Sequence, residues 1–290
     1  MIGVFDSGHG GLTVLRVLTQ RFPGEAFVYL GDHADAPYGN RPSEEVVALA
    51  RRGTEVLFGL GCGLVLLACN TATCVAVRVL QQQWLPASRW HGSHNVLGIV
   101  APTVEAATQT PWGVTKPQYP QRYNSDIVAV LGTRRTITSD VYPAEIIKRC
   151  PLIRVVQQAC PDLAGAIEAG AAEAELDALV AAGIAGVLAQ TAGEAPHRAI
   201  LGCTHYPLVE HLFRRHLPPM TRILSQPEAV AHSLEDYLAR HPRYRGSPGG
   251  AAGGPHLRLF TTGAPEVVAT AARRFWPEAS SFEAMALCSE

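Results

Sequence analysis

Lysine is almost absent from this chain: among 290 residues only Lys116 and Lys148 occur. Lys116 stands in a Pro-rich stretch and Lys148 in the polar "EIIKRC" of a helical pattern. Neither has the apolar setting that desolvates a Schiff-base lysine, so pyridoxal chemistry has no anchor. Paired metal signatures are missing too, with no C-x-x-C and no H-x-x-x-H. A zinc set can be written only from Cys69, Cys74, Cys203 and His205, without the usual spacing. The glycine turn "DSGHGG" (6 to 11) is no G-x-G-x-x-G signature, and no P-loop lysine follows it.

Excess positive charge is absent as well. Twenty-four Lys and Arg against 25 Asp and Glu give a formal net charge of -1, which offers no basic face to nucleic acid. The locally basic "RHPRYRG" (240 to 246) is short and reads as a solvated loop flank. The longest nearly uninterrupted apolar run, "VLFGLGCGLVLLAC" (56 to 69), has three glycines and is too short to span a bilayer. "IGVF" follows Met1 directly, leaving no room for a signal peptide. Seven cysteines, odd in number and scattered, predict reduced thiols in a cytoplasmic compartment.

What is present is alternation. Hydrophobic residues make up 47% of the chain, enough for about two cores at this length. Strand-like runs stand at "MIGVFD", "EAFVYLGD" (25 to 32), "GLVLLAC" (63 to 69), "NVLGIVAP" (95 to 102), "DIVAVLGT" (126 to 133), "LIRVVQQAC" (152 to 160) and "RAILGC" (198 to 203). Helical spacing recurs between them, as in 12 to 22 and 43 to 60. Apolar strands without strict alternation, separated by helices, predict an α/β fold with parallel sheets. The Pro/Gly-rich stretches 111 to 124 and 246 to 255 read as mobile surface loops.

The two halves echo each other. Cys69 follows Asp6 by 63 residues, and Cys203 follows Thr133 by 70. Each cysteine ends an apolar run and precedes a helical pattern. This predicts two similar α/β domains, an Asp6–Cys69 edge facing a Thr133–Cys203 edge across a central cleft. Ligands of open α/β sheets bind at such strand ends. A thiol at a helix N-terminus is favoured as thiolate, and neighbouring hydroxyl or amide groups can hold a carboxylate. Burial as small core residues is the competing reading.

The blocks "GVFDSGHGGLTVL", "YLGDHADAPYG", "ACNTAT", "VLGTRRTITSDVY", "ACPDLAGAIEAG", "ILGCTHYPLV" and "LFTTGAPE" occur in this order over nearly the whole chain. In them the chain resembles the glutamate racemases of the cofactor-independent aspartate/glutamate racemase superfamily. The resemblance implies that Cys69 and Cys203 are the catalytic pair, one on each face of the substrate α-carbon. It implies substrate contacts from Asp6, Ser7, Tyr38, Gly39, Asn70, Thr71, Thr204 and His205. Asp6, Glu168 and His205 match the polar residues that assist the thiols or orient the substrate. The implied first domain is residues 1 to 100 with 211 to 290, and the second 101 to 210. Implied further are no metal or cofactor, a homodimer, and D-glutamate supply for peptidoglycan.

The chain departs from the family's pattern at Asp35, where a basic residue is common, and at Ala101 and Thr103. The stretches near 84 to 94 and 111 to 124 look longer than usual. Two alternatives remain open: a racemase of aspartate or of several acidic amino acids, and a catalytically silent binding or regulatory protein with this fold.

Overall fold

The structure is a computed structural model and describes residues 1–114, 116–123, 125–245 and 256–287. The stretch 246 to 255, read above as a loop, lies outside the described residues. Burial follows the apolar runs. β1 (Ile2–Asp6), β2 (Phe27–Gly31) and β3 (Leu64–Leu67) are buried at every position, as strands covered on both faces must be. Between them lie α1 (Gly11–Arg21), a single turn at Tyr38–Asn40, and α2 (Ser43–Gly59). After β3 come α3 (Asn70–Val79), the short α4 (Leu85–Ala87) and β4 (Asn95–Gly98). The sequence pattern carries that last strand to Pro102; instead α5 (Val100–Thr108) begins there. Proline in a first helical turn lacks only an N–H that would have no helical partner anyway.

The chain then forms β5 (Ile127–Gly132), α6 (Arg134–Thr138), α7 (Val141–Arg149), β6 (Arg154–Ala159), α8 (Leu163–Ala169), α9 (Glu173–Gln190) and β7 (Arg198–Gly202). A turn at Tyr206–Val209 leads to α10 (Glu210–His216), β8 (Arg222–Leu224), α11 (Gln226–Arg240), β9 (Leu257–Thr261), α12 (Pro265–Ala272) and β10 (Glu283–Ala284). Two sheets result, ordered β10-β9-β2-β1-β3-β4 and β6-β5-β7-β8. All their pairings are parallel. The α/β class with parallel sheets is as the sequence reads.

Two compact units divide the chain: Met1–Ile99 with Val230–Glu290, and Val100–Ala229. The second therefore extends beyond residue 210, where the sequence reading ends it. The cause is β8, which pairs with β7 from Arg198↔Arg222 to Ile200↔Leu224 and takes α10 with it as the crossover. Three residues are too short a run to announce a strand. Among the described residues no helix is long and apolar enough to cross a membrane, and no described cysteine forms a disulfide.

In the first unit α2 turns Val46, Leu49, Ala50, Gly53 and Leu57 inward, the spacing of one helical face. Gly53 lets the helix approach β1 so closely that a Cβ there would overlap the ring of buried Phe5. At Gly59, in the same helix, a Cβ would meet nothing within 4 Å. Gly53→Ala is therefore expected to destabilise by about 2 kcal/mol, overpacking outweighing the helix-propensity gain. Gly59→Ala should be neutral or slightly stabilising. Urea denaturation of the two variants beside the parent checks the difference.

Candidate active site

In the first unit β1, β2 and β3 end together: Asp6 pairs with Gly31 and Phe5 with Leu67. Asp6, Asp32 and Cys69 therefore emerge at one carboxyl edge. Cys69 is the N-cap of α3, with φ -83° and ψ 127°. Its sulfur accepts from the Ala72 N–H at 3.4 Å and from the Ser7 hydroxyl at 3.4 Å. Donors and the positive end of a helix both favour a thiolate over a thiol. Asn70 and Thr71 are buried in the first turn of α3. Asp6 is buried and accepts from the Gly8 N–H at 2.8 Å, closing the turn that carries Ser7. Gly11 is required beneath it, because a Cβ there would lie 2.6 Å from the Asp6 Cβ.

Tyr38, assigned to substrate contact by resemblance, is only 1% exposed. Its ring packs near Phe5 and its hydroxyl donates to Asp32 Oδ2 at 2.6 Å. Burial and the Asp32 carboxylate push that phenol's pKa far above its ordinary value. The side chain belongs to the interior, so this turn can meet a ligand through its main chain and through half-buried Gly39.

The second unit repeats the layout. Gly132 of β5 pairs with Ala159 of β6 and with Gly202 of β7. Thr133, Cys160 and Cys203 thus follow three adjacent strand ends. Thr133 caps α6, its hydroxyl accepting from the Thr136 N–H. Cys203 Sγ lies 3.7 Å from Nδ1 of His205, whose Nε2 is hydrogen-bonded to the Glu168 carboxylate. Glu168 sits in the last turn of α8, which Gly170 ends with φ 71°. Cys203, Thr204 and His205 are buried. Burial alone would lower the His205 pKa; hydrogen bonds and charge from Cys203 and Glu168 reverse that and hold it well above its ordinary value. Cys160 differs: burial pushes its thiol up to about 12, as it does for Cys62 in the first unit. Those two behave as inert core thiols.

Among the described residues no three His, Cys, Asp or Glu side chains gather as metal ligands. The departures from the family pattern find partners. Asp35 is met by Arg41, whose Nη2 is 3.3 Å from its carboxylate and whose Nε donates to its carbonyl at 2.6 Å. Arg41 also pairs with Glu45, so the acidic substitution comes with its own cation. The Thr103 hydroxyl is buried and accepts from the Gln226 amide at 2.9 Å. Ala101 lies half-buried in α5. In the 84-to-94 stretch, Trp84, Trp90 and His94 pack around Phe58.

The chain is 49% identical over 286 residues to a glutamate racemase of Phenylobacterium zucineum, covering 97% of this chain and 99% of that protein. It is 46% identical to a glutamate racemase of Caulobacter sp. strain K31, covering 98% and 99%. This chain belongs to the glutamate racemase family. The crystal structure of a glutamate racemase isoform from Bacillus anthracis superposes with a TM-score of 0.80 at 30% identity, covering 99% of this chain and 97% of that one. A scan against protein-family models finds no match.

For a glutamate racemase family member, the edge of the first unit holds two residues that the sequence reading passed over. Asp32 and Thr262 stand beside the assigned ones, Thr262 donating to Asp32 Oδ1 at 2.8 Å. The available signal was the aspartate that ends the "FVYLGD" run, as Asp6 ends "IGVFD".

The His205 pair has a measurable pH consequence. A histidine raised in the folded state contributes stability that is full below its unfolded pKa of about 6.5 and is lost as pH rises through the higher folded value. Melting temperatures taken from pH 6 to pH 10 should therefore show a decline on the alkaline side. In His205→Gln that decline should be smaller. An unchanged slope would mean that the Glu168–His205 pair carries no proton linkage.

Proposed function

We propose that this protein interconverts L- and D-glutamate by moving the α-proton between two thiols, with neither metal nor pyridoxal phosphate. The observation that carries the reading is that both cysteine sulfurs are engaged at strand ends: Cys69 by Ser7 and the start of α3, Cys203 by His205, which Glu168 holds in turn. Membership of the family supplies the substrate. Inversion needs a base on one face of the α-carbon and an acid on the other. In our reading Cys69 as thiolate takes the proton from D-glutamate while Cys203 as thiol protonates the opposite face. The product is L-glutamate, with Cys69 now thiol and Cys203 thiolate. The reverse reaction exchanges the roles.

His205 supports the Cys203 half. With Nε2–H directed to Glu168, Nδ1 can accept the thiol proton or, when protonated, stabilise the thiolate. Asp6 orients the substrate ammonium or accepts a proton beside Cys69. Asn70, Thr71, Thr204 and Gly39 offer donors to the substrate carboxylates. The α-proton is weakly acidic without an electron-sink cofactor, so donors in a water-poor site have to stabilise the carbanionic transition state.

The reverse direction, from L- to D-glutamate, fits D-glutamate supply for peptidoglycan in the cytoplasm, by a homodimer. The deciding experiment follows chirality by circular dichroism on purified protein with L-glutamate, D-glutamate and both aspartates. Loss of optical signal from either glutamate enantiomer is expected, unaffected by prior dialysis against chelator and hydroxylamine. No change with any of the four would leave the silent binding protein as the reading. Equal rates with aspartate would make this a broad acidic amino-acid racemase.

A further inference from the structure

Asp32 is the knot of the first unit's carboxyl edge. It is 0% exposed, and both carboxylate oxygens accept hydroxyl hydrogen bonds. One comes from Tyr38 at 2.6 Å and one from Thr262 at 2.8 Å. Its main-chain N–H donates to the Asp6 carbonyl at 2.9 Å, and its carbonyl accepts from the Asp35 N–H at 3.3 Å. Thr262 Oγ1 also accepts from the Ala34 N–H at 2.9 Å, tying the loop between Asp32 and Tyr38 to the end of β9. One residue thus joins the end of β1, through its main chain, and the residue after β9, through its side chain, to the Tyr38–Asn40 turn. The same edge continues through Asp6 and Ser7 to the sulfur of Cys69.

A buried acid is costly unless its oxygens are satisfied, so its presence among apolar strand ends calls for a reason. Core packing does not supply one, since an apolar residue would fill the same space. What an aspartate adds is direction: two short acceptor contacts fix where Tyr38 ends and hence where its main chain lies. We propose that Asp32 is a positioning residue that sets the protein's selectivity for glutamate length, by holding the Tyr38–Gly39 turn through the Tyr38 hydroxyl. The inference rests on the reading of that turn as a substrate edge. Asp32 touches no reacting atom. It fixes the distance between the turn and Cys69, and with it which carboxylate spacing places the α-carbon at the thiol.

The test is the ratio of kcat/KM for glutamate to that for aspartate, which a loss of folded protein does not alter because both rates fall together. Tyr38→Phe keeps the ring in its packing and removes only the hydroxyl. The expected result is a fall of the ratio by at least about tenfold, carried mainly by a higher KM for glutamate, since small displacements of reacting atoms are expensive. Thr262→Val should lower the ratio in the same direction and serves as the readout if Tyr38→Phe does not fold. Asp32→Asn keeps the shape, and its amide can accept from one hydroxyl and donate to the other, so its ratio should lie closer to the parent's. An unchanged ratio in folded Tyr38→Phe or Thr262→Val, with the parent racemising glutamate, overturns the positioning role alone. A parent protein inactive on glutamate overturns the functional reading beneath it.

Discussion

Replacement of Cys69 or of Cys203 by alanine is expected to abolish racemisation in both directions, with kcat falling by at least about a thousandfold. General acid–base groups contribute roughly 10²- to 10⁴-fold each, and in the proposed mechanism each turnover uses one thiolate and one thiol. In the proposed mechanism neither cysteine can replace the other, because the two act on opposite faces of the α-carbon. Heavy water separates the two roles. The parent protein should place solvent deuterium at Cα of the product enantiomer. A variant that keeps only Cys69 should exchange the α-proton of D-glutamate slowly with retained configuration, and one that keeps only Cys203 should do so with L-glutamate. Thiol alkylation should inactivate the parent, and bound glutamate should protect it. Near-normal racemisation by either alanine variant would return that cysteine to core packing, where Cys62 and Cys160 already stand as thiols whose burial suppresses ionisation.

Substrate choice should show the next largest effect. Glutamate is expected to exceed aspartate in kcat/KM by at least about a hundredfold. In the proposed reading the Tyr38–Gly39 turn meets the distal carboxylate, and aspartate, one methylene shorter, would have to displace its α-carbon to reach it. Misplacement of reacting atoms by about an ångström costs rates of this order. The comparison is made with both enantiomers of each acid at matched protein concentration. A ratio near one would assign the protein to the broad acidic amino-acid racemases.

The parallel α/β class was legible because uniformly apolar runs need cover on both faces, and helical spacing between them supplies it. Here "FVYLG" and "LVLL" are buried throughout, as their composition requires. The positions of Cys69 and Cys203 at strand ends were legible for the same reason: each closes an apolar run before a helical one. Strands β8, β9 and β10 were not read. β8 is three residues long and β10 two, and such short pairings are held by the neighbouring strand rather than by their own pattern. The extent of the second unit depended on β8.

Sequence by itself determined the fold class, the absence of a lysine suited to a Schiff base, and the residue types at each sheet edge. These follow from periodicity and chemical identity, which are local properties of the chain. Only the tertiary structure decided what each side chain touches. Tyr38 is assigned to substrate contact by resemblance, and the structure instead finds its hydroxyl on Asp32, a partner fixed jointly with Thr262 from more than two hundred residues away. Ser7 reads as a substrate contact, and the fold places its hydroxyl on Cys69, 62 positions along the chain. Glu168 is assigned to the site only by resemblance, and the end of α8 brings it to His205 across 37 positions. Hydrogen-bond partners so distant in sequence are set by strand order and crossover geometry, which no local pattern of residues encodes.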